Sequence, residues 1–280
     1  MNKKIRVVSL FSGIGGFEEG LKGAKLKHKV VFASEIDEHA KKSYIANFNG
    51  KYLNGDIKKI DEKDIPEHEL LLAGFPCQAF SIAGRQKGFE DIRGTLFFDV
   101  ARSLQEKKPK YILLENVKNL ISHDGSKTIR VILNILNEIG YTVDFTIINS
   151  AESGVPQNRD RTYICGVYLG DSEKYRADKR SVKVDALKQE LNKTEYKGFN
   201  FFDKVVFNNK QTYIEDILET EVDSNYFLNS ELVETFVKNT VIEETVERED
   251  KIIKLFDLPR NIHNDLERQW RVYSIKGISP

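Results

Sequence analysis

Apolar residues gather into runs of strand length along the first part of the chain: IRVVSL (5–10), KVVFAS (29–34), LLLAG (70–74), KYILLE (110–115), YTVDFTIIN (141–149) and RTYICGVY (161–168). Most of these runs are continuous rather than alternating, the pattern of strands covered on both faces. Between several of them lie segments of helical period: GGFEEGLKGA, DEHAKKSYIANF, TLFFDVARSLQEKK and SKTIRVILNILNEIG. The last puts Ile129, Ile132, Leu133, Leu136 and Ile139 on one stripe and stops at Gly140. Strand alternating with helix predicts an α/β protein with a doubly wound, mostly parallel sheet.

After Gly170 the character changes. Residues 171–262 mix charges with short apolar pieces, which predicts a charged connector with a surface helix or loop and small peripheral helices. Residues 263–280 hold a strand-like RVYSI followed by Gly277 and a final Pro280, a further segment that does not read as a natural domain end. The division expected is therefore 1–170, 171–262 and 263–280.

Composition narrows the class. The 280 residues carry 43 Lys/Arg and 43 Asp/Glu, so net charge alone does not announce a polyanionic partner. Locally, residues 77–130 hold ten basic and six acidic side chains, whereas 215–250 hold two and twelve. A polyanion would approach the first region and avoid the second, although solvated surface with chance asymmetry explains the smaller excess equally well. No apolar run approaches the ~18 residues of a membrane span, and the N-terminal MNKKIRVVSLF reads as a first strand rather than a signal peptide. Two distant cysteines and five scattered histidines give no disulfide framework and no metal-ligand spacing, and they suit a reducing cytoplasm.

The candidate chemistry sits where the strands should end. The first turn, LFSGIGGFEEG, offers Gly13 and Gly15 for a close backbone approach, but Glu18 stands where a dinucleotide fingerprint needs a small residue. Glu18 and Glu19 in the first helical turn would also repel a pyrophosphate. Glu35, at the end of the second strand, is placed to take ribose hydroxyls, and Asp56 in NGDI to accept from an adenine amine. Each acid also reads as a surface charge or helix cap, Asp37 more readily than the others. Together these residues describe a nucleoside pocket with no phosphate site, which S-adenosylmethionine suits better than NAD.

Cys77 follows the fourth strand directly after Pro76. A thiolate there would be nucleophilic if cations or backbone N–H groups lowered its pKa. Cys165, mid-strand among apolar neighbours, reads as structural. Glu115 ends the fifth strand, and Arg159 and Arg161 lie two apart in VPQNRDRTY, on one face if extended. Each alone reads as an ion pair; their convergence at one sheet edge points to a reaction centre.

In order and spacing, FSGIGG, SEID, GDI, GFPCQAFS, RGTLFFDVAR, ENV and VPQNRDR resemble the C5-cytosine DNA methyltransferases, in particular small bacterial restriction-modification methylases of the HhaI type. The resemblance covers residues 5–168 densely and 200–280 loosely. It implies a Rossmann-like S-adenosylmethionine-dependent catalytic domain over 1–170, with 263–280 opening a target-recognition region. It further implies Cys77 as the nucleophile at cytosine C6, Glu115 at the N3 edge and exocyclic amine, and Arg161 supported by Arg159 at the O2 side. Phe11, Gly13, Gly15, Glu35, Ile36, Asp56, Ile57, Pro76 and Leu96 would line the cofactor pocket. Ser81, Arg85 and Arg93 would contact phosphates of double-stranded DNA from a mobile loop, with the target cytosine flipped out. No metal is implied.

The family's closing GN-S/A-V segment is not found, so either a second chain carrying the recognition domain or a missing C-terminal part is expected to be needed for full activity. Two other readings stay open: a non-catalytic remnant that binds cofactor or partner, and an RNA (tRNA) cytosine-5 methyltransferase.

Overall fold

A computed structural model describes residues 4–76, 95–207, 211–226, 247–257 and 271–280. The chain divides into two compact units. The first comprises Met1–Ile148 and Arg161–Val205, the second Asn149–Asp160 and Val206–Pro280.

The first unit is built on a seven-stranded sheet: β1 (Ile5–Leu10), β2 (His28–Ser34), β3 (Leu53–Asn54), β4 (Leu70–Gly74), β5 (Tyr111–Val117), β6 (Tyr141–Asn149) and β7 (Asp160–Tyr168). Their order across the sheet is β3-β2-β1-β4-β5-β7-β6. β1 pairs in parallel with β2 and β4, and β4 with β5, while β7 runs antiparallel to β5. This is the doubly wound, mostly parallel sheet expected of the alternating pattern. The reversal of winding between β1 and β4 creates the switch point at which such sheets bind ligands, beyond the strands' carboxyl ends.

Helices α1 (Gly16–Gly23), α2 (Glu38–Phe48), α3 (Leu96–Lys107) and α4 (Lys127–Ile139) follow β1, β2, β4 and β5 in the chain. Three of them have a local reason to start or stop. Asp37 caps α2 by accepting from Ala40 N at 2.7 Å, and Thr95 caps α3. Gly140 ends α4 at φ 114°, a conformation that costs glycine little. The α4 stripe is wholly buried at Ile129, Ile132, Leu133 and Leu136, within one core that includes Leu71, Leu114, Tyr141 and Phe145.

Beyond β7, residues 182–191 form α5 (Val182–Leu191), where a surface helix or loop was expected. An ionic group holds it to the sheet. Lys188 Nζ lies 2.8 Å from Asp144 Oδ1 on β6 and 3.5 Å from Asp178 Oδ2, and all three side chains are nearly inaccessible. Asp144 also accepts from the backbone N–H groups of Phe201 and Phe202, and Asp178 from Thr146 Oγ1.

In the second unit, β8 (Lys254–Asp257) and β9 (Arg271–Tyr273) form an antiparallel pair. The following residues lace the unit together: Asn158 N donates to Ser279 O, Ser279 N to Pro156 O, and Ile214 N to Gly277 O. Glu215 is ion-paired with Lys276 at 2.7 Å and with Arg248.

Candidate active site

The carboxyl ends of β1, β2, β4 and β5 carry the residues that matter. Leaving β1, Phe11 adopts φ 54° and Gly13 φ 55°. Open space lies where a Gly13 side chain would project, so a ligand can approach the backbone there. At Gly15, φ 95°, a Cβ would overlap the Phe48 ring of α2.

Glu35, at the exit of β2, reaches this turn. Its Oε2 accepts from Gly13 N at 2.8 Å, and its Oε1 from Ile36 N at 2.8 Å and Asp37 N at 2.9 Å. A carboxylate has about four acceptor positions, so Glu35 can still receive ligand hydroxyls. The N–H that a pyrophosphate would seek is spent on an anion. The expectation that Glu18 would meet a ligand at this turn is corrected. That side chain does not face the turn: it is buried, 1% exposed, and accepts from Tyr44 Oη at 3.1 Å. Glu19 is exposed and pairs with Lys22.

Asp56 caps a short 3₁₀ turn through Lys58 N at 3.0 Å, and Ile57 behind it is buried. Ile36 is 68% exposed at the mouth of the glycine turn, available to cover a flat ligand. Leu96 opens α3. Sequence reasoning missed Arg102, two turns further along α3, which fixes this side. Its guanidinium donates to Ile57 O at 2.7 Å and Ile60 O at 2.9 Å and pairs with Glu62 and Asp99. The signal available was an Asp–Arg pair three apart within an otherwise apolar helical face.

β4 ends at Gly74, directly opposite Glu115 of β5. A Cβ on Gly74 would stand 3.4 Å from Glu115 Oε2, in ordinary van der Waals contact, so this carboxylate lies close over the β4 exit. Arg161 enters β7 beside it, Nε 3.0 Å from Glu115 Oε1. Asn116, also missed as a contributor, is buried and donates to Phe75 O at 2.8 Å, tying the exit of β4 to β5. Phe75 packs against Phe97 of α3 with ring centroids 5.3 Å apart. Pro76, exposed, is the last described residue before Cys77.

The structure thus brings Glu115 and Arg161 together, and Glu35 with Gly13. Arg159 lies in the second unit, exposed, its carbonyl accepting from Ser150 N. Cys77, Ser81, Arg85 and Arg93 lie outside the described residues. Cys165 is buried in β7, and burial pushes its thiol well above the ordinary value, so it is no thiolate at neutral pH. Among the described residues no group of three or more His, Cys, Asp or Glu side chains could hold a metal ion, and no helix is long and apolar enough to cross a membrane.

The mostly parallel sheet, with Glu35 bonded to the glycine turn at its switch point and a carboxylate–guanidinium pair on the adjoining strand ends, has the Rossmann-like fold of methyltransferase domains. A family model described as C-5 cytosine-specific DNA methylase matches residues 5–276, and the chain belongs to that family. It is 44% identical over 241 residues to the orphan methyltransferase M.SPRI of Bacillus phage SPR, covering 84% of this chain and 54% of that protein. It is 45% identical over 231 residues to the type II methyltransferase M.SsoII of Shigella sonnei, covering 82% and 54%. The chain therefore spans about half the length of these relatives. Among solved structures it resembles the Dnmt2 methyltransferase of S. pombe, with TM-score 0.57 and 26% identity over 84% of this chain and 67% of that one.

Proposed function

We propose that the protein transfers a methyl group from S-adenosylmethionine to C5 of cytosine in double-stranded DNA, through a covalent cysteine adduct. The observation that carries this reading is the Glu115–Arg161 pair at the carboxyl end of β5, beside the β4 exit that leads through Pro76 into Cys77. The naming of a 45% identical relative as a type II methyltransferase supports a place in a restriction-modification setting.

The bound donor supplies an electrophilic methyl group. The residues would do the rest. Cytosine C5 is a poor nucleophile, so the Cys77 thiolate adds to C6 and pushes electron density onto C5. Glu115 hydrogen-bonds the N3 edge and the exocyclic amine, helping the ring accept electrons. Arg161 stabilises negative charge on O2. Once C5 carries the methyl group, a base removes the C5 proton and the electron pair expels Cys77, restoring the double bond and the free thiolate. Because Cys77 cannot reach a base inside a duplex, the cytosine is flipped out, at a cost of a few kcal/mol. Ser81, Arg85 and Arg93 are assigned to the phosphates that offset this cost.

The donor pocket fits without a phosphate site. Glu35 takes ribose hydroxyls, Asp56 the adenine amine, and Phe11, Gly13, Gly15, Ile36, Ile57, Pro76 and Leu96 form the walls. Nothing in the comparisons supports a second subunit, and none is proposed.

Nucleoside analysis of DNA incubated with the protein and radiolabelled S-adenosylmethionine tests this reading. Label in 5-methylcytosine is expected. Label confined to N4-methylcytosine or N6-methyladenine, or appearing in tRNA and not in duplex DNA, overturns it.

A further inference from the structure

The two loops of the donor pocket each lead straight into a helix. The glycine turn feeds α1 at Gly16, and Glu35–Asp37 feeds α2 at Glu38. The loops meet through Gly13 N, which donates to Glu35 Oε2 at 2.8 Å, and through Ser12, whose N and Oγ donate to Ser34 O at 2.9 and 3.3 Å. The placement of α1 against α2 therefore sets how well those bonds and the pocket beside them are formed.

Two residues of α2, one turn apart, make the contact. Tyr44, 3% exposed, donates its hydroxyl to Glu18 Oε1 in the first turn of α1 at 3.1 Å. Phe48, its ring tilted against Tyr44 with centroids 5.3 Å apart, fills the space against Gly15 where a side chain would otherwise stand. Behind this contact lies a cavity of about 310 Å³ whose walls include Glu18, Lys22, Tyr44, Phe48 and Tyr52. With little packing on that side, the hydrogen bond and the Phe48 ring carry the spacing.

The other Glu18 oxygen is buried with no hydrogen-bond partner. Burying so polar a side chain with one oxygen unmet is costly, so packing alone does not account for an acceptor to Tyr44 here. Burial, reinforced by the Glu18 charge, pushes the Tyr44 hydroxyl far above its ordinary pKa, so it stays a donor across the working pH range.

We propose that Glu18, Tyr44 and Phe48 are positioning residues that hold the Gly13–Gly15 turn against Glu35 and so set the affinity of the pocket for an adenosine-bearing methyl donor. The inference rests on the reading of the pocket given above.

The probe is S-adenosylhomocysteine, titrated calorimetrically into the full chain so that no turnover is needed. Tyr44→Phe keeps the ring and removes the hydroxyl, and it should weaken binding about tenfold. Glu18→Gln keeps an acceptor for Tyr44 and should bind within about threefold of wild type. Ile132→Val, a destabilising change in the core stripe of α4, serves as a control and should bind as wild type does once folded. Tyr44→Phe binding within twofold of wild type overturns the proposal, as does equal weakening by Ile132→Val. If Tyr44→Phe does not fold, Phe48→Leu takes its place under the same criteria. A wild-type chain that fails to bind the probe overturns the donor reading and this inference with it; wild-type binding with unaffected variants overturns the inference alone.

Discussion

Arg161 Nε lies 3.0 Å from Glu115 Oε1, although in the ladder Arg161 is opposite Val117 and Glu115 opposite Tyr163. The pair is diagonal across two antiparallel strands, within reach because residues two apart share a face. Both side chains are about a fifth to a quarter exposed, which leaves them accessible to a substrate. Removal of either should therefore affect turnover far more than stability. We expect Glu115→Gln and Arg161→Ala each to lower kcat about 10²–10³-fold, the scale of losing one oriented electrostatic contact. Arg161→Lys, which keeps charge but not the planar fork, should recover only part. Single-turnover methyl transfer checks this, with urea unfolding as the control.

The Lys188–Asp144–Asp178 group should behave in the opposite way. Lys188→Met leaves two buried carboxylates without their cation, a change that typically costs about 3–5 kcal/mol. Adding Asp144→Asn to Lys188→Met should recover part of the loss, because the pair is coupled. Urea titration of the two variants measures both effects, and the affinity for S-adenosylhomocysteine of the folded fraction should not change.

His68 gives the fold a pH dependence. It is 5% exposed, with Nδ1 against Pro66 O at 2.8 Å and Nε2 unpaired. Burial lowers its pKa below the ordinary 6.5. The fold thus prefers neutral His68, so the stability it contributes is present above 6.5 and lost as pH falls from there through the lower folded value. His68→Gln should flatten unfolding free energy against pH on the acid side of 6.5 relative to wild type, as read by denaturant titrations at several pH values.

The strands and helices of the first unit were legible because two-sided burial writes continuous aliphatic runs and single-sided burial writes a 3.6-residue stripe. β3 was not, since two residues make no pattern. The antiparallel sense of β7 was not either, because RTYICGVY reads the same in both directions of pairing. At the site, Glu35, Glu115 and Arg161 were visible as charged residues terminating apolar runs. Glu18 was misread as an acid that would meet a ligand at the turn: its partner Tyr44 lies 26 residues away, and the side chain is buried against it. Arg102, Asn116 and Lys188 escaped for the same reason, since each is defined by a partner distant in sequence.

The two cysteines should differ sharply in reactivity. With its thiol buried and its pKa raised, Cys165 should resist iodoacetamide in the native protein and react only after unfolding. Peptide mapping of the alkylated native protein should therefore find label on Cys77 and not on Cys165.

The most direct test of the covalent mechanism is the adduct itself. Duplex DNA carrying 5-fluorocytosine cannot lose a proton from C5, so the enzyme that has methylated it remains bonded to C6. In the presence of S-adenosylmethionine, a denaturation-resistant protein–DNA complex should form with the wild-type protein and with Cys165→Ser, and be absent with Cys77→Ser. A complex that persists in Cys77→Ser, or that is lost in a folded Cys165→Ser, would contradict the assignment of Cys77 as the nucleophile.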